Sequence, residues 1–169
     1  MKNPVIAIRV RDIGTMTAEL YPEYAPRTVE NFLRLAREKF FDGLIFHRVI
    51  SGFMLQGGGF TPDMRQKNAP AIKGEFAANG FRQNTLRHTR GVLSMARTGD
   101  PNSASSQFFI MHAPAPYLDG QYAAFGKVIS GDEFIDTIAN VETGSYGYYM
   151  QDVPLSPVVI DTIEVLESE

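Results

Sequence analysis

The sequence contains no cysteine, so disulfide bonds, thiolate nucleophiles and cysteine-based zinc sites are all excluded. It has no excess of basic residues either: 16 Lys and Arg stand against 19 Asp and Glu, giving a formal net charge of −3. Nucleic-acid binding usually depends on a basic face, and we do not expect it here. No apolar run approaches the roughly 18 residues of a membrane-spanning helix, and the first residues lack the pattern of a signal peptide. The sequence therefore predicts a cytoplasmic protein without nucleic-acid or membrane partners.

The rest of the composition is that of one globular domain spanning residues 1–169. Hydrophobic residues make up 44% of the chain, and a chain of this length buries roughly 70% of its unfolded surface. Its 15 glycines and 10 prolines are spread over many short breaks, without an internal repeat. Such punctuation is typical of a mostly β protein.

The chain opens with a predicted hairpin over residues 4–21, in which two alternating segments flank a turn at 11–14. A helix follows, because Pro26 suits a first helical position and apolar residues then recur at helical spacing. These apolar residues are Val29, Phe32, Leu33 and Ala36. A second helix is indicated by Ser130 and Glu133, which have the spacing of a capping box. Its apolar stripe would consist of Phe134, Ile135 and Ile138.

Several further runs have the composition of short strands. They are residues 45–50, 53–56, 91–96, 107–111, 123–128 and 157–166. Many short strands, with two helices placed far apart in the sequence, predict an antiparallel barrel or sandwich capped by helices.

Several kinds of ligand site are disfavoured by the residues. The three histidines, His47, His88 and His112, have no metal-ligand partners at helical or hairpin spacing, so we predict neither a metal site nor a cofactor. The glycine-rich run at 56–60 lacks the lysine and the following helix of a phosphate-binding loop. A basic segment at 82–90 offers charge for a phosphate, but on an acidic protein a solvated loop is the better interpretation.

An arginine among apolar and amide side chains is the most informative feature. Strand alternation puts Arg48 on the same face as Phe46 and Ile50, and the residues after a short break can turn toward that region. Gln56 and Gln107 are neutral groups able to hold a guanidinium without cancelling its charge. This pattern leaves two interpretations open: a core arginine satisfied by main-chain carbonyls, or a functional site.

Long blocks of the sequence match a known family in order, at residues 25–32, 46–59, 90–97, 106–110 and 117–128. Over nearly its whole length the chain resembles the cyclophilins, peptidyl-prolyl cis–trans isomerases, of the bacterial cytoplasmic type. The resemblance implies a mainly β fold: a closed eight-stranded antiparallel β-barrel with an α-helix over each open end. Side chains fill the interior of so small a barrel, so we expect the active site on the outer face.

The resemblance also implies which residues form the site. Arg48 corresponds to the catalytic arginine, and the amide of Gln56 supports that arginine and the substrate backbone. The residues implied in binding the proline and the peptide are Phe53, Met54, Ala96, Arg97, Gln107, Phe109, Tyr117, Leu118 and Tyr122. No role is assigned to residues 61–89 or 144–151, where the match is weaker.

Proline-containing peptides and folding proteins are the implied partners of a monomer that needs no cofactor. Cyclosporin is expected to bind with reduced affinity. Tyr117 stands where many members have a tryptophan that hydrogen-bonds this ligand, and Tyr122 replaces a histidine at the pocket rim. Two alternatives stay open: an adapter that binds peptides without turnover, and a barrel that holds a small apolar ligand inside.

Overall fold

The hairpin expected at the start of the chain is present in the computed structural model, which describes residues 3–148 and 150–166. Strands β1 (Val5–Val10) and β2 (Gly14–Leu20) pair in antiparallel register around a turn. The helices are α1 (Pro26–Arg37) and α2 (Glu133–Ala139). The other strands are β3 (Arg48–Ile50), β4 (Met54–Gly57), β5 (Val92–Met95), β6 (Phe108–Met111), β7 (Ala124–Ser130), β8 (Thr143–Tyr146), β9 (Met150–Pro154) and β10 (Ile160–Leu166).

Eight of these strands form one antiparallel sheet, in the order β10-β1-β2-β7-β5-β6-β4-β3. The predicted mainly β fold, with two helices and eight antiparallel strands, is therefore confirmed. The prediction of a closed barrel goes too far, because in the described residues the end strands β3 and β10 do not pair as a ladder. The segments before them meet through a single bridge between Ile45 and Val159, supported by a 3.0 Å bond from the Phe46 N–H to the Val158 carbonyl. The sheet is a strongly curled half-barrel.

Helix α1 packs its apolar stripe into the concave side of this sheet. Pro26 occupies the first turn, as expected, and Phe32 is 1% exposed. The ring of Phe32 lies 4.9 to 5.2 Å from the rings of Phe41, Phe108 and Phe125. These aromatic rings fill the interior of the half-barrel. The alternative of a small apolar ligand held inside would require an open interior.

The start of α2 differs from the capping-box prediction. Ser130 is the last residue of β7 and pairs with Thr17 in the sheet, so it lies outside the helix. Gly131 then turns the chain at a φ of +79°, and the residue at the cap, Asp132, makes no side-chain capping bond. The predicted stripe is largely correct, since Ile135 and Ile138 are fully buried.

Candidate active site

Successive residues of the central strands alternate between two separate apolar clusters. In β6, Phe108 and Ile110 belong to the interior core, whereas Phe109 and Met111 belong to a second cluster. Because successive side chains of a strand point to opposite faces, the second cluster lies on the outer face of the sheet. The outer cluster consists of Met54, Val92, Phe109, Met111, Ala115, Leu118 and Ala124, with Ile50, Phe53, Leu86, Ala96 and Tyr122 packed against it.

Strand register places the polar site residues in one row beside this cluster. Arg48 in β3 lies opposite Gln56 in β4, and Gln56 lies opposite Phe109 in β6. Phe109 in turn lies opposite Ser94 in β5. The guanidinium, the amide and the aromatic ring are thus brought together by main-chain pairing, although they come from positions up to 61 residues apart in the chain.

A surface cavity of about 140 Å³ lies over this row. It is lined by Arg48, Phe53, Met54, Gln56, Ala96, Arg97, Phe109, Leu118 and Tyr122. Nine of the eleven residues named from the sequence therefore meet in one place, and the two that do not line the cavity are Gln107 and Tyr117. None of the nine is acidic, so the lining itself offers no carboxylate to neutralise a guanidinium.

Arg48 is exposed, and the interpretation of a core arginine satisfied by carbonyls is wrong. The expected shared face with Phe46 is also wrong, because Phe46 is fully buried in the interior core. The β3 ladder begins only at Arg48, so alternation does not extend back to Phe46. From Arg48 onward it holds: Val49 points into the core, and Ile50 packs against the outer cluster.

Gln107 lies beside the central cavity and is joined to it by a hydrogen bond. Gln56 donates from Nε2 to the Oε1 of Gln107 at 3.0 Å. Both amides line a neighbouring cavity of about 170 Å³, together with Gln66, Ala96, Arg97, Thr98, Ser103 and Ser105. A side chain at Gly59 would displace Gln107, because an added Cβ would collide with the Gln107 side chain.

Arg97 lines both cavities, and hydrogen bonds and aromatic contacts fix the position of its side chain. Its Nε and Nη2 donate to the Gln121 carbonyl at 3.0 and 2.8 Å. Its guanidinium also lies 4.8 Å from the ring centres of both Phe76 and Tyr122, an arrangement favoured by cation–π attraction. The charge at this position is therefore fixed in direction rather than free to follow a ligand.

Tyr117 lies at the edge of the site. Its side chain is 71% exposed, and its ring centre is 6.1 Å from that of Phe53. The residue belongs to a short 3₁₀ helix, Pro116–Leu118, whose last residue is turned into the outer cluster and is 7% exposed. The turn of this helix explains why two neighbouring residues differ so much in burial.

Beneath Phe109 lies a buried polar chain that the sequence analysis missed. The His88 ring stacks on Phe109, with centres 6.0 Å apart, and its Nδ1 lies 3.0 Å from Asp119 Oδ1. Its Nε2 lies 2.8 Å from Ser94 Oγ. Burial lowers the pKa of His88, and Asp119 only partly offsets this. Ser94 and His88 are buried, so the Ser94 hydroxyl is sealed from substrates and does not act as a nucleophile, and the His88 ring supports Phe109 instead.

A third cavity, of about 320 Å³, adjoins the site on the side of the β8–β9 hairpin. It is lined by His47, Arg48, Met150, Gln151 and Asp152. Burial, and secondarily the charge of Arg48, lower the pKa of His47 to about 4, so this side chain is neutral beside the arginine at physiological pH. The hairpin had no counterpart among the predicted strands.

Neither a cluster of metal-ligating side chains nor a membrane-spanning helix occurs in the residues that the structure describes. Across 3–148 and 150–166, no group of three or more His, Cys, Asp or Glu side chains could hold a metal ion. In the same ranges, every helix is too short or too polar to cross a bilayer. In the basic segment at 82–90, Arg90 is paired with Asp136 and His88 is buried, whereas Arg82 and Arg87 are exposed.

Comparison with known proteins finds a matching family and relatives of similar sequence. A family model described as cyclophilin type peptidyl-prolyl cis–trans isomerase matches residues 5–165. A peptidyl-prolyl cis–trans isomerase of Streptomyces antibioticus is 46% identical over 161 residues, which cover 90% of this chain and 93% of that protein. Peptidyl-prolyl cis–trans isomerase B of Escherichia coli is 44% identical over 163 residues, covering 91% and 95%.

Solved structures of similar fold agree with these sequence matches. A crystal structure of a cyclophilin-type isomerase of Cryptosporidium parvum has a TM-score of 0.79 at 29% identity, and the match covers 99% of each chain. A second structure of that protein, determined in the presence of the dipeptide Ala-Pro, has a TM-score of 0.78 and covers 97% of this chain and 99% of that one.

Proposed function

Because the chain belongs to the cyclophilin-type peptidyl-prolyl cis–trans isomerases, and so is itself an isomerase of X–Pro peptide bonds, we propose that the central cavity binds the proline and that Arg48 catalyses the rotation. Gln56 assists Arg48 by binding the substrate backbone next to it. The other binding residues are Phe53, Met54, Ala96, Arg97, Gln107, Phe109, Tyr117, Leu118 and Tyr122.

Rotation about an X–Pro peptide bond requires a hydrogen-bond donor rather than a nucleophile. Amide resonance opposes rotation about a peptide bond with a barrier of about 18–20 kcal/mol. As the bond twists, the prolyl nitrogen loses its conjugation, becomes pyramidal and gains a lone pair able to accept a hydrogen bond. A guanidinium donates at any physiological pH because it does not titrate there. A bond that Arg48 makes to the twisted amide and not to the planar one lowers the barrier.

The apolar walls serve to hold the ring while the preceding carbonyl moves. Phe53, Met54, Phe109 and Leu118 offer a surface matched to a pyrrolidine ring, and contact with them displaces water from the reacting bond. Removal of water strengthens the field of the neighbouring guanidinium. A barrier lowered by about 7 kcal/mol corresponds to an acceleration of about 10⁵-fold.

The observation that carries the proposal is an exposed arginine beside apolar side chains, in a cavity in which no lining side chain is acidic. A guanidinium in that setting keeps its donors and its charge available to a ligand. The relative from Cryptosporidium parvum was studied with Ala-Pro, which supports small proline-containing peptides as ligands of this chain too.

Further properties belong to the same proposal. Folding proteins that expose X–Pro bonds are the proposed substrates of a cytoplasmic, monomeric enzyme without a nucleic-acid partner. Cyclosporin is proposed to bind weakly. The phenol of Tyr117 replaces an indole donor, and Tyr122 is already engaged with Arg97 and Phe109 at the rim.

An exchange experiment on a short X–Pro peptide tests the proposal. Wild type, Arg48→Ala and Arg48→Lys are compared by NMR exchange spectroscopy, with Arg37→Ala on the exposed face of α1 as the matched control. We expect Arg48→Ala to lose most of the catalysis, Arg48→Lys to keep a small part of it, and the control to match wild type. Full activity of Arg48→Ala would refute the assignment. Binding of the peptide by wild type without faster exchange would favour the adapter alternative.

A further inference from the structure

The position of Phe53 in the cavity is set by the tight turn that joins β3 to β4. The Phe53 N–H donates to the Ile50 carbonyl at 3.0 Å, closing a four-residue turn. Gly52 adopts a φ of +81° in this turn, a conformation that other residues reach only with strain. Phe53 is the last residue of this turn, so the conformation of the turn sets where its ring begins.

His112 binds this turn from the end of β6 with both its main chain and its ring. The His112 N–H donates to the Phe53 carbonyl at 2.9 Å. In the opposite direction, the Gly52 N–H donates to Nδ1 of the His112 ring at 2.8 Å. His112 is therefore bonded on both sides of the Gly52–Phe53 peptide: its ring accepts from the Gly52 N–H, and its own N–H donates to the Phe53 carbonyl.

The other ring nitrogen is engaged by α2. His112 Nε2 lies 2.9 Å from Asp136 Oδ1. Arg90 donates to both oxygens of the same carboxylate, at 3.0 and 3.1 Å, and to the His112 carbonyl at 3.2 Å. The hydrogen bond from Arg90, and secondarily that from His112, lower the pKa of Asp136, so the carboxylate is ionised.

These contacts permit only one protonation state of the ring. Nδ1 accepts from the Gly52 N–H and must be bare, so the proton is on Nε2 and is donated to Asp136. A doubly protonated ring would present an N–H to the Gly52 N–H, and that bond would be lost. The charged groups facing the ring in the described structure are Asp136 and Arg90, with Asp132 3.9 Å from the Arg90 guanidinium.

We propose that His112 is a positioning residue for the isomerase: its neutral ring, fixed by Asp136 and Arg90, holds the Gly52–Phe53 peptide so that Phe53 closes the proline cavity. This inference rests on the proposed role of Phe53. Loss of the bond to Nδ1 of the His112 ring releases the turn and weakens peptide binding. Arg48 lies in the β3 ladder and keeps its place, so the effect falls mainly on KM.

The test measures kcat and KM for an X–Pro peptide, so that a loss of binding is separated from a loss of turnover. His112→Ala removes the acceptor, and we expect KM to rise about fivefold, the equivalent of one net hydrogen bond, with a smaller change in kcat. His112→Asn keeps an acceptor near the position of Nδ1. We expect it to restore a nearly normal KM.

Two further variants separate the possible failures. Asp161→Asn removes an exposed carboxylate that pairs with Arg11 elsewhere on the surface, and we expect it to match wild type. Phe53→Ala tests the site itself. If Phe53→Ala leaves KM unchanged, the proposed proline cavity fails. If Phe53→Ala raises KM but His112→Ala does not, or if His112→Asn raises KM as much as His112→Ala, the positioning role of His112 is refuted while the cavity stands.

Discussion

Gln56 donates to Gln107 at 3.0 Å, and this single bond spans the boundary between the cavity over Arg48 and the one beside it. Gln56 lines both cavities, and Gln107 lines only the second. The bond orients the Gln56 amide directly opposite Arg48 in the β3–β4 ladder. Substitution of Gln107, which does not line the cavity over Arg48, is therefore expected to alter catalysis by Arg48 through the orientation of the Gln56 amide.

Gln107→Ala is the variant that tests this relationship. Removing the acceptor frees the Gln56 amide to rotate, and the loss of one net hydrogen bond of about 1 kcal/mol corresponds to about a fivefold fall in kcat/KM. The measurement is the isomerisation rate of an X–Pro peptide. Gln83→Ala is the control, since Gln83 is exposed and donates to the Glu23 carbonyl, away from the cavity. Equal activity of Gln107→Ala and Gln83→Ala would show that the Gln56–Gln107 bond does not contribute to catalysis.

Phe109 is expected to contribute to both binding and stability. Its side chain is 4% exposed, stacks on His88 and meets Tyr122 edge-on with ring centres 5.7 Å apart. Phe109→Ala should raise KM at least tenfold, since it removes one wall of the cavity. It should also lower the free energy of unfolding by about 3–5 kcal/mol.

Thermal melts must accompany these kinetics, because a partly unfolded variant also loses activity. Phe125→Leu supplies the comparison: Phe125 is fully buried in the interior core, away from the outer cluster. We expect this variant to melt at a lower temperature with an unchanged KM. A folded Phe109→Ala protein with normal peptide affinity would remove Phe109 from the pocket.

The parts of the fold that local sequence pattern predicts are those with a buried and an exposed face. Alternation in the first hairpin and the helical spacing from Val29 to Ala36 both reflect such faces, and both elements form. The β8–β9 hairpin has no such signal. Three of the four residues of β8 are exposed, so its sequence shows no alternation of apolar and polar side chains.

The site was predictable chiefly from resemblance, because its contacts join distant positions. Local spacing cannot show that His88 reaches Asp119, 31 residues later, or that His112 reaches back 60 residues to Gly52. It also misplaced Phe46, since the strand begins at Arg48, three residues later than predicted, and its alternation does not extend back to Phe46.

The segment at 61–89, which received no role from the sequence, supplies the cap of α1. The residue before the helix is Ala25, which has no side chain able to cap. Glu75 Oε1 instead accepts from both the backbone N–H and the hydroxyl of Thr28, each at 2.7 Å. Glu75 is 3% exposed, and its carboxylate lies at the helix end that favours negative charge.

Glu75→Gln should therefore destabilise the protein without touching the active site. Replacing a charged acceptor of two hydrogen bonds by a neutral one should cost about 2 kcal/mol of unfolding free energy. Urea titration measures this, and Glu30→Gln on the exposed face of the same helix should stay within about 0.5 kcal/mol of wild type. Equal stability of the two variants would mean that the cost of burying Glu75 cancels its capping contribution.

His47 should make the protein less stable in acid. Burial first, and then the charge of Arg48, lower its pKa from 6.5 to about 4. In the described structure its Nδ1 is buried without a hydrogen-bond partner, so no bond to that atom favours the protonated form. As the pH falls below about 6.5, His47 binds a proton in the unfolded chain but not in the folded chain. Unfolding therefore becomes more favourable.

The loss accumulates between about pH 6.5 and pH 4 and levels off below, where both states are protonated. At about 1.4 kcal/mol per pKa unit, it reaches roughly 3 kcal/mol. His47→Gln has no proton to gain at this position. Urea titrations at about pH 7 and pH 4.5 should show wild type losing 2 to 3 kcal/mol more than the variant, while carboxylate titrations common to both proteins cancel in the difference. Parallel losses in the two proteins would show that His47 is protonated in the folded state and that acid destabilisation arises elsewhere.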